Sequence, residues 1–243
     1  MTSPSQARKN WFLRHKVVTT ATFVAAAFVA LLGVLMVPTA PPASAYPGGS
    51  CSIVVPTTVS IDRPYKLIPA TLASDCTANY ADYASCDVRH SYYGPSDIFI
   101  FDGTRSDTIS FYDWEHYGVY YVEPGNAWNN DYYDLTQNTR SYVVKSASQA
   151  GIRATRAGSY VTVSVGAAYY SPTTSAFRMW GNERVQIQYR TPNTSTWRTL
   201  RNVYTASNGK AAYRYYAPKA RFYRAVTAPN SVIWSQWSIA IYR

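Results

Sequence analysis

The side chains with the most chemistry to offer are cationic, and they crowd into one half of the chain. Residues 147–243 hold thirteen arginines and lysines against a single acid, Glu183. Arginine carries a planar fork of donors that fits phosphate and carboxylate oxygens. On a strand over 184–190, Arg184 and Arg190 share the face opposite Val185, Ile187 and Tyr189. Arg198, Arg201, Arg214 and Arg224 extend the set. These six are the candidate contacts for an anionic polymer such as a wall teichoic acid, an acidic polysaccharide or extracellular DNA. The plainer reading is a soluble basic surface that complements an acidic first half.

The acids lie elsewhere. Residues 46–146 hold twelve of the thirteen, against six basic residues. Two stretches combine them with aromatic rings: Asp113-Trp114-Glu115-His116, and Asn129-Asn130-Asp131-Tyr132-Tyr133-Asp134. Clustered oxygens of this kind can hold calcium, but the spacing of an EF-hand loop is missing, and solvated loop carboxylates are the simpler expectation. A glycosidase would need two carboxyls across a cleft. Glu115 with Asp113 or Glu123 are the nameable candidates, and His90 and His116 the nameable bases, yet no Gly-x-Ser-x-Gly elbow accompanies them. No catalytic residue, cofactor or metal site is assigned. Of the tryptophans Trp128, Trp180, Trp234 and Trp237, the loop-like settings of Trp128 and Trp180 mark them as the exposed pair, which could stack on sugar rings.

Three cysteines, Cys51, Cys76 and Cys86, allow one bridge and three pairings. The expected pair is Cys76–Cys86, because it closes a short polar loop between two strand-like segments. Cys51 is then a buried thiol or an intermolecular link. The absence of Cys-x-x-Cys and the scarcity of histidine argue against metal binding.

These residues sit behind an expected export signal. Arg8, Lys9, Arg14 and Lys16 precede an apolar run over 17–37; Pro38 and Pro41-Pro42-Ala43-Ser44-Ala45 follow. That is the order of a basic region, an apolar region and a small-residue cleavage site. The cut falls after Ala45, with Ala43 and Ala45 as its recognition residues. An uncleaved anchor is the alternative, since the run is long enough to span a bilayer. Export predicts a secreted, extracellular or cell-wall setting, a disulfide, and membrane contact only through this segment.

The rest reads as β-structure. Tyrosine is abundant, at 23 residues, and suits pleated, half-buried surfaces. Val161, Val163 and Val165 alternate with polar residues, as do Val185, Ile187 and Tyr189. Further strands are expected over 197–204, 210–216, 221–226 and 232–242. Asn208-Gly209 is read as a hairpin turn joining the first two. A parity shift between Trp234 and Trp237 suggests a bulge. The first half gives candidates over 51–55, 65–72, 86–92, 97–101, 108–114, 117–122 and 140–145. Ser146-Ala147-Ser148 reads as a short linker where the charge reverses. The expected organisation is a signal peptide over 1–45, an acidic β-sandwich over 46–146 and a basic one over 147–243. The fold class is all-β, with two tandem immunoglobulin-like sandwiches.

The series Arg184 to Arg190, then Thr196-Trp197-Arg198-Thr199, Ser207-Asn208-Gly209-Lys210 and Phe222-Tyr223-Arg224-Ala225-Val226 resembles an immunoglobulin-like module that recurs in exported proteins of high-GC Gram-positive bacteria. The resemblance covers about residues 150–243. It implies a β-sandwich at the cell surface, with Trp197 and Tyr223 as core fillers, and it implies no reaction. The functional expectation is a secreted, non-enzymatic binding or adhesion protein. A secreted inhibitor or accessory factor, with a protein partner, is the alternative; a carbohydrate-active enzyme is another. Sequence-specific nucleic-acid binding is not expected of an exported chain.

Overall fold

A computed structural model describes residues 49–243. The expected leader and its cleavage residues, Ala43 and Ala45, lie outside the described residues. The first half contains β1 (Ile53–Val54), β2 (Thr58–Ile61), β3 (Tyr65–Leu72), the short helix α1 (Ser74–Ala78), β4 (Ala81–His90), β5 (Gly94–Asp102), β6 (Ser106–Tyr112), β7 (Gly118–Asn129) and β8 (Arg140–Ser146). The second half contains β9 (Ser148–Ala157), β10 (Tyr160–Ser171), β11 (Ala176–Met179), β12 (Arg184–Arg190), β13 (Arg198–Tyr204), β14 (Lys210–Tyr216), β15 (Phe222–Thr227) and β16 (Ile241–Tyr242). Among the described residues the fold is all-β apart from α1, as the alternation predicted.

In the first half a three-stranded sheet, β1-β3-β6, faces a five-stranded one, β2-β8-β7-β4-β5. Alternate residues of both turn inward: Ile53, Ile68 and Phe111 meet Ile61, Val88, Phe99, Phe101, Val122 and Val144 in one core. In the second half β10 pairs with β9 along one edge and with β14 and then β11 along the other. The facing sheet is β13-β12-β15-β16. Val161, Val163, Val185, Ile187, Tyr223 and Ala225 fill the core between them. Both pairs are immunoglobulin-like sandwiches in their layering.

The small residues at 146–148 do not form an exposed tether. Ser146, Ala147 and Ser148 are all buried. Ala147 N–H donates to the Ile61 carbonyl at 2.8 Å, and its own carbonyl accepts from Tyr170 N–H at 2.9 Å. Further contacts knit the halves: Trp234 Nε1–H donates to the Val59 carbonyl at 3.0 Å, and the buried Tyr170 hydroxyl donates to Asp113 at 2.6 Å. Small side chains are needed here for packing rather than for freedom.

The disulfide joins Cys51 to Cys76, not Cys76 to Cys86. Cys76 lies on α1, which packs beside the start of β1. Cys86 lies in mid-β4 with its thiol buried in the core. Cys51 stands 4.1 Å from Cys76 between Cα atoms, so it is the partner within reach. Burial pushes the Cys86 thiol up to about 11.

Two further expectations change. Asn208-Gly209 makes its tight turn, with Gly209 at φ +72°, but no hairpin: β13 pairs with β12 while β14 pairs with β10. The turn carries the chain between sheets, held where Ala167 N–H donates to the Gly209 carbonyl at 2.8 Å. A Cβ on Gly209 would come within 2.7 Å of the Ala167 oxygen, so glycine is required. The 232–242 segment is strand only at β16. Before it, Trp237 makes an isolated bridge to Val226, and side chains supplement the backbone bonds: Gln236 N–H donates to Thr227 Oγ1, and Ala225 N–H donates to Ser238 Oγ, both at 2.9 Å.

Candidate ligand-binding surfaces

The six expected arginines do not form one patch. Arg184, Arg190 and Arg224 share the outer face of the β12 sheet, since β12 and β15 pair Gln188 with Arg224 and Arg190 with Phe222. There two of them join a stack of rings. The Arg190 guanidinium lies 4.1 Å from the Phe222 ring centre and 5.4 Å from that of Trp197. Arg224 lies 4.4 Å from Trp197 and 5.6 Å from Trp237, and its Nε–H donates to Gln188 at 2.7 Å. Each such cation–π contact contributes roughly 0.5–2 kcal/mol. Burial lowers the pKa of Arg224 from its ordinary value. Trp197 is therefore half-buried among arginines on the outside of the sheet, not a core filler; Tyr223 is in the core. Arg198 and Arg201 lie on the neighbouring edge strand β13, with Arg201 5.7 Å from the Tyr213 ring. Arg214 belongs to the opposite sheet, 4.8 Å from Tyr160.

That opposite sheet presents a different cationic surface. Its outer face is built in register: Ser164 of β10 lies between Arg153 of β9 and Ala212 of β14, and Gly166 lies between Gly151 and Lys210. Thr162 lies between Thr155 and Arg214. Small side chains leave an open depression of about 650 Å³ rimmed by Arg153 and Lys210. The rim cations lie on either side of β10, two residues out of register, roughly 12 Å apart along the diagonal. Neither forms an ion pair or side-chain hydrogen bond among the described residues. Arg153 carries no sequence signal of its own, because the strand over 148–157 does not stand out in the sequence. Its alternation is blurred by Ala150, Ala154 and Ala157, which carry little hydrophobic signal.

The exposed aromatic rings are also relocated. Trp128 stacks on Tyr83 with ring centres 4.2 Å apart, and Trp180 meets Tyr169 edge-on at 5.7 Å; both are half-buried. Among the described residues Trp114 and Trp237 are the exposed tryptophans, at 74% and 63%. Trp114 borders a cleft of about 150 Å³ that also takes in His90, Tyr93, Glu115, His116 and Tyr120. His90 is fully engaged: Nδ1 accepts from the Tyr92 and Tyr93 N–H groups at 3.1 and 3.2 Å, which leaves Nε2–H to donate to the Tyr117 carbonyl at 3.2 Å. His116 stacks on Tyr93. Burial raises the Glu115 carboxyl, which accepts from Tyr112 N–H at 2.8 Å. Asp113 is buried against Tyr170, and Glu123 pairs with Arg89 at 3.5 Å. Among the described residues no three His, Cys, Asp or Glu side chains converge in a metal-binding group.

No family model and no curated protein matches the chain. Solved structures similar to it include the native conformation of E. coli alpha-2-macroglobulin, at 10% identity and a TM-score of 0.40 over 81% of this chain. The match spans only 14% of that protein's chain. The D0-D1 domain of intimin is 12% identical, with a TM-score of 0.27 over 79% of this chain and 96% of its own. The human OSCAR ligand-binding domain is 10% identical, also at 0.27, over 79% and 97% respectively. All three scores lie below 0.5, and no functional inference follows from them.

Proposed function

We propose that the chain is exported and acts without catalysis, as a binding or adhesion protein whose second half contacts an anionic polymer at the cell surface. The observation that carries this reading is where the ion pairs lie. All those described, Arg63–Asp62, Lys66–Asp62 and Arg89–Glu123, are in the first half. The second half keeps thirteen cations and one acid, with no ion pair among the described residues. Uncompensated cations on the open β10 face raise the local concentration of polyanions. Arg190 and Arg224 stack on rings and also donate to the Thr194 carbonyl and to Gln188; Arg153, Lys210 and Arg214, whose side chains donate no hydrogen bond among the described residues, are the better contacts. Export is supported by the order of the leader and by the Cys51–Cys76 bridge.

The test uses the whole exported chain, because Ala147 and Trp234 belong to contacts between the halves. Binding to soluble polyglycerol phosphate is measured across a salt series, with neutral dextran as control. Affinity should fall steeply with salt. The triple variant Arg153→Glu, Lys210→Glu, Arg214→Glu should flatten the log–log slope by about 2, the value for three lost contacts on a flexible polyanion. Salt-insensitive binding, or a variant that binds as the parent does, would overturn the proposal.

A further inference from the structure

The outer face of the β1-β3-β6 sheet has a composition unlike the rest of the first half. β3 and β6 pair Tyr65 with Tyr112, Leu67 with Ser110, Pro69 with Thr108 and Thr71 with Ser106. All eight side chains lie on the face away from the core, and Val54 of β1 joins them opposite Thr71. None is charged, in a half that contains eighteen charged residues. The charged residues of the same strands take other directions: Lys66 Nζ–H donates to the Ser60 carbonyl, and Asp107 accepts from Ile100 N–H at 2.8 Å. Arg105, just before β6, is turned to the carbonyls of Leu72 and Ala73.

What remains is a surface of hydroxyls and rings. Tyr65 and Tyr112 have ring centres 5.2 Å apart at 52°, and Trp114 stacks on Tyr112 with ring centres 5.5 Å apart and planes 17° from parallel. Tyr65, Leu67, Tyr112 and Trp114 are exposed at 41–74%. Ser110 adds a hydroxyl 3.1 Å from that of Tyr65. Large exposed rings held side by side on a rigid sheet mark an interaction surface.

We propose that this face binds an extended neutral polysaccharide. The apolar C–H faces of pyranose rings lie on Trp114, Tyr112 and Tyr65, while Ser110, Thr108 and Ser106 exchange hydrogen bonds with sugar hydroxyls. Three features on the face select this occupant. The absence of charge gives no hold on a polyanion. Serine is depleted at the cores of protein–protein interfaces, but here serine or threonine occupies every row beyond the tyrosine pair. The ring-to-ring spacing is comparable to one pyranose residue, so a linear chain can meet successive rings in register. This surface lies in the opposite half from the β10 face and stands independently of the polyanion reading.

The test is titration of the exported chain with a panel of neutral hexasaccharides, α- and β-linked glucose and β-linked N-acetylglucosamine, at low and high salt. At least one should bind, with an affinity that salt leaves unchanged. Trp114→Ala and Tyr112→Ala should each weaken it by about tenfold or more, the loss of one ring contact. The triple variant of the β10 face should bind as the parent does. Both rings are exposed, so circular dichroism should confirm that the alanine variants are folded; Tyr112→Phe, which keeps the ring, should retain most of the affinity. Absence of binding across the panel would overturn the proposal. So would binding that survives both ring deletions, or a dimer in sedimentation that these deletions dissolve, which would assign the face to a second copy of the chain.

Discussion

Raising the pH through about 10 and toward 12 unfolds the chain, and buried tyrosines drive the transition. Desolvation raises the phenols of Tyr120, Tyr142 and Tyr215 well above their ordinary value, and pushes Tyr170 up to about 12. Tyr120 and Tyr142 stack in the first core with planes 2° apart, and Tyr170 donates to the Asp113 carboxylate. A phenol is neutral when protonated, so a raised native pKa favours the folded state only while the unfolded chain would still be protonated too. Full stability holds below about 10, where unfolded tyrosine begins to ionise. Above it the unfolded chain gains charge that the native chain refuses, and stability falls until the native values are reached. Each pKa unit of difference contributes about 1.4 kcal/mol. A handful of buried phenols therefore exhausts the roughly 5–15 kcal/mol typical of a folded protein. Spectrophotometric titration of the 23 tyrosines, run beside far-ultraviolet circular dichroism, checks this. The phenols of Tyr120, Tyr142, Tyr170 and Tyr215 should ionise together with the loss of β-signal. Titration of all tyrosines as one class with the fold intact would contradict it.

Cutting the Cys51–Cys76 bridge is the second large effect. The two cysteines are 25 residues apart in sequence, and a loop of that length contributes roughly 3–4 kcal/mol through restriction of the unfolded chain. Both partners are also buried, so Cys51→Ser places a hydroxyl in apolar surroundings. Urea unfolding with and without reductant separates the cases. The parent and Cys86→Ala should each lose about 3 kcal/mol or more on reduction, while Cys51→Ser should already be destabilised and respond no further. Alkylation before digestion should label Cys86 only after unfolding. A midpoint indifferent to reductant, or a peptide linking Cys76 to Cys86, would contradict the pairing.

Some of this was written locally in the sequence. Alternation at Val161, Val163 and Val165, and at Val185 and Ile187, requires a two-faced strand, because successive side chains point to opposite sides. Arg184 and Arg190 accordingly share an outer face. Asn208-Gly209 specifies a tight turn because glycine accepts positive φ. The uneven charge needs no structure to be seen. Pairing across the fold was not legible. Nothing in 197–216 states that β13 and β14 part to opposite sheets; that depends on Ala167 and the turn docking against it. Trp197 reads as a core residue until Arg190 and Arg224 are placed beside it. Cys86 looks the natural partner of Cys76 until the fold brings Cys51 beside it. Arg153 and Lys210 come to rim one depression only through the register of three strands, and Tyr65 meets Tyr112 only through the pairing of β3 with β6. The sequence determined periodicity, turns and charge, which depend on neighbouring residues. The tertiary structure alone decided which distant residues meet, because that depends on the packing of whole sheets.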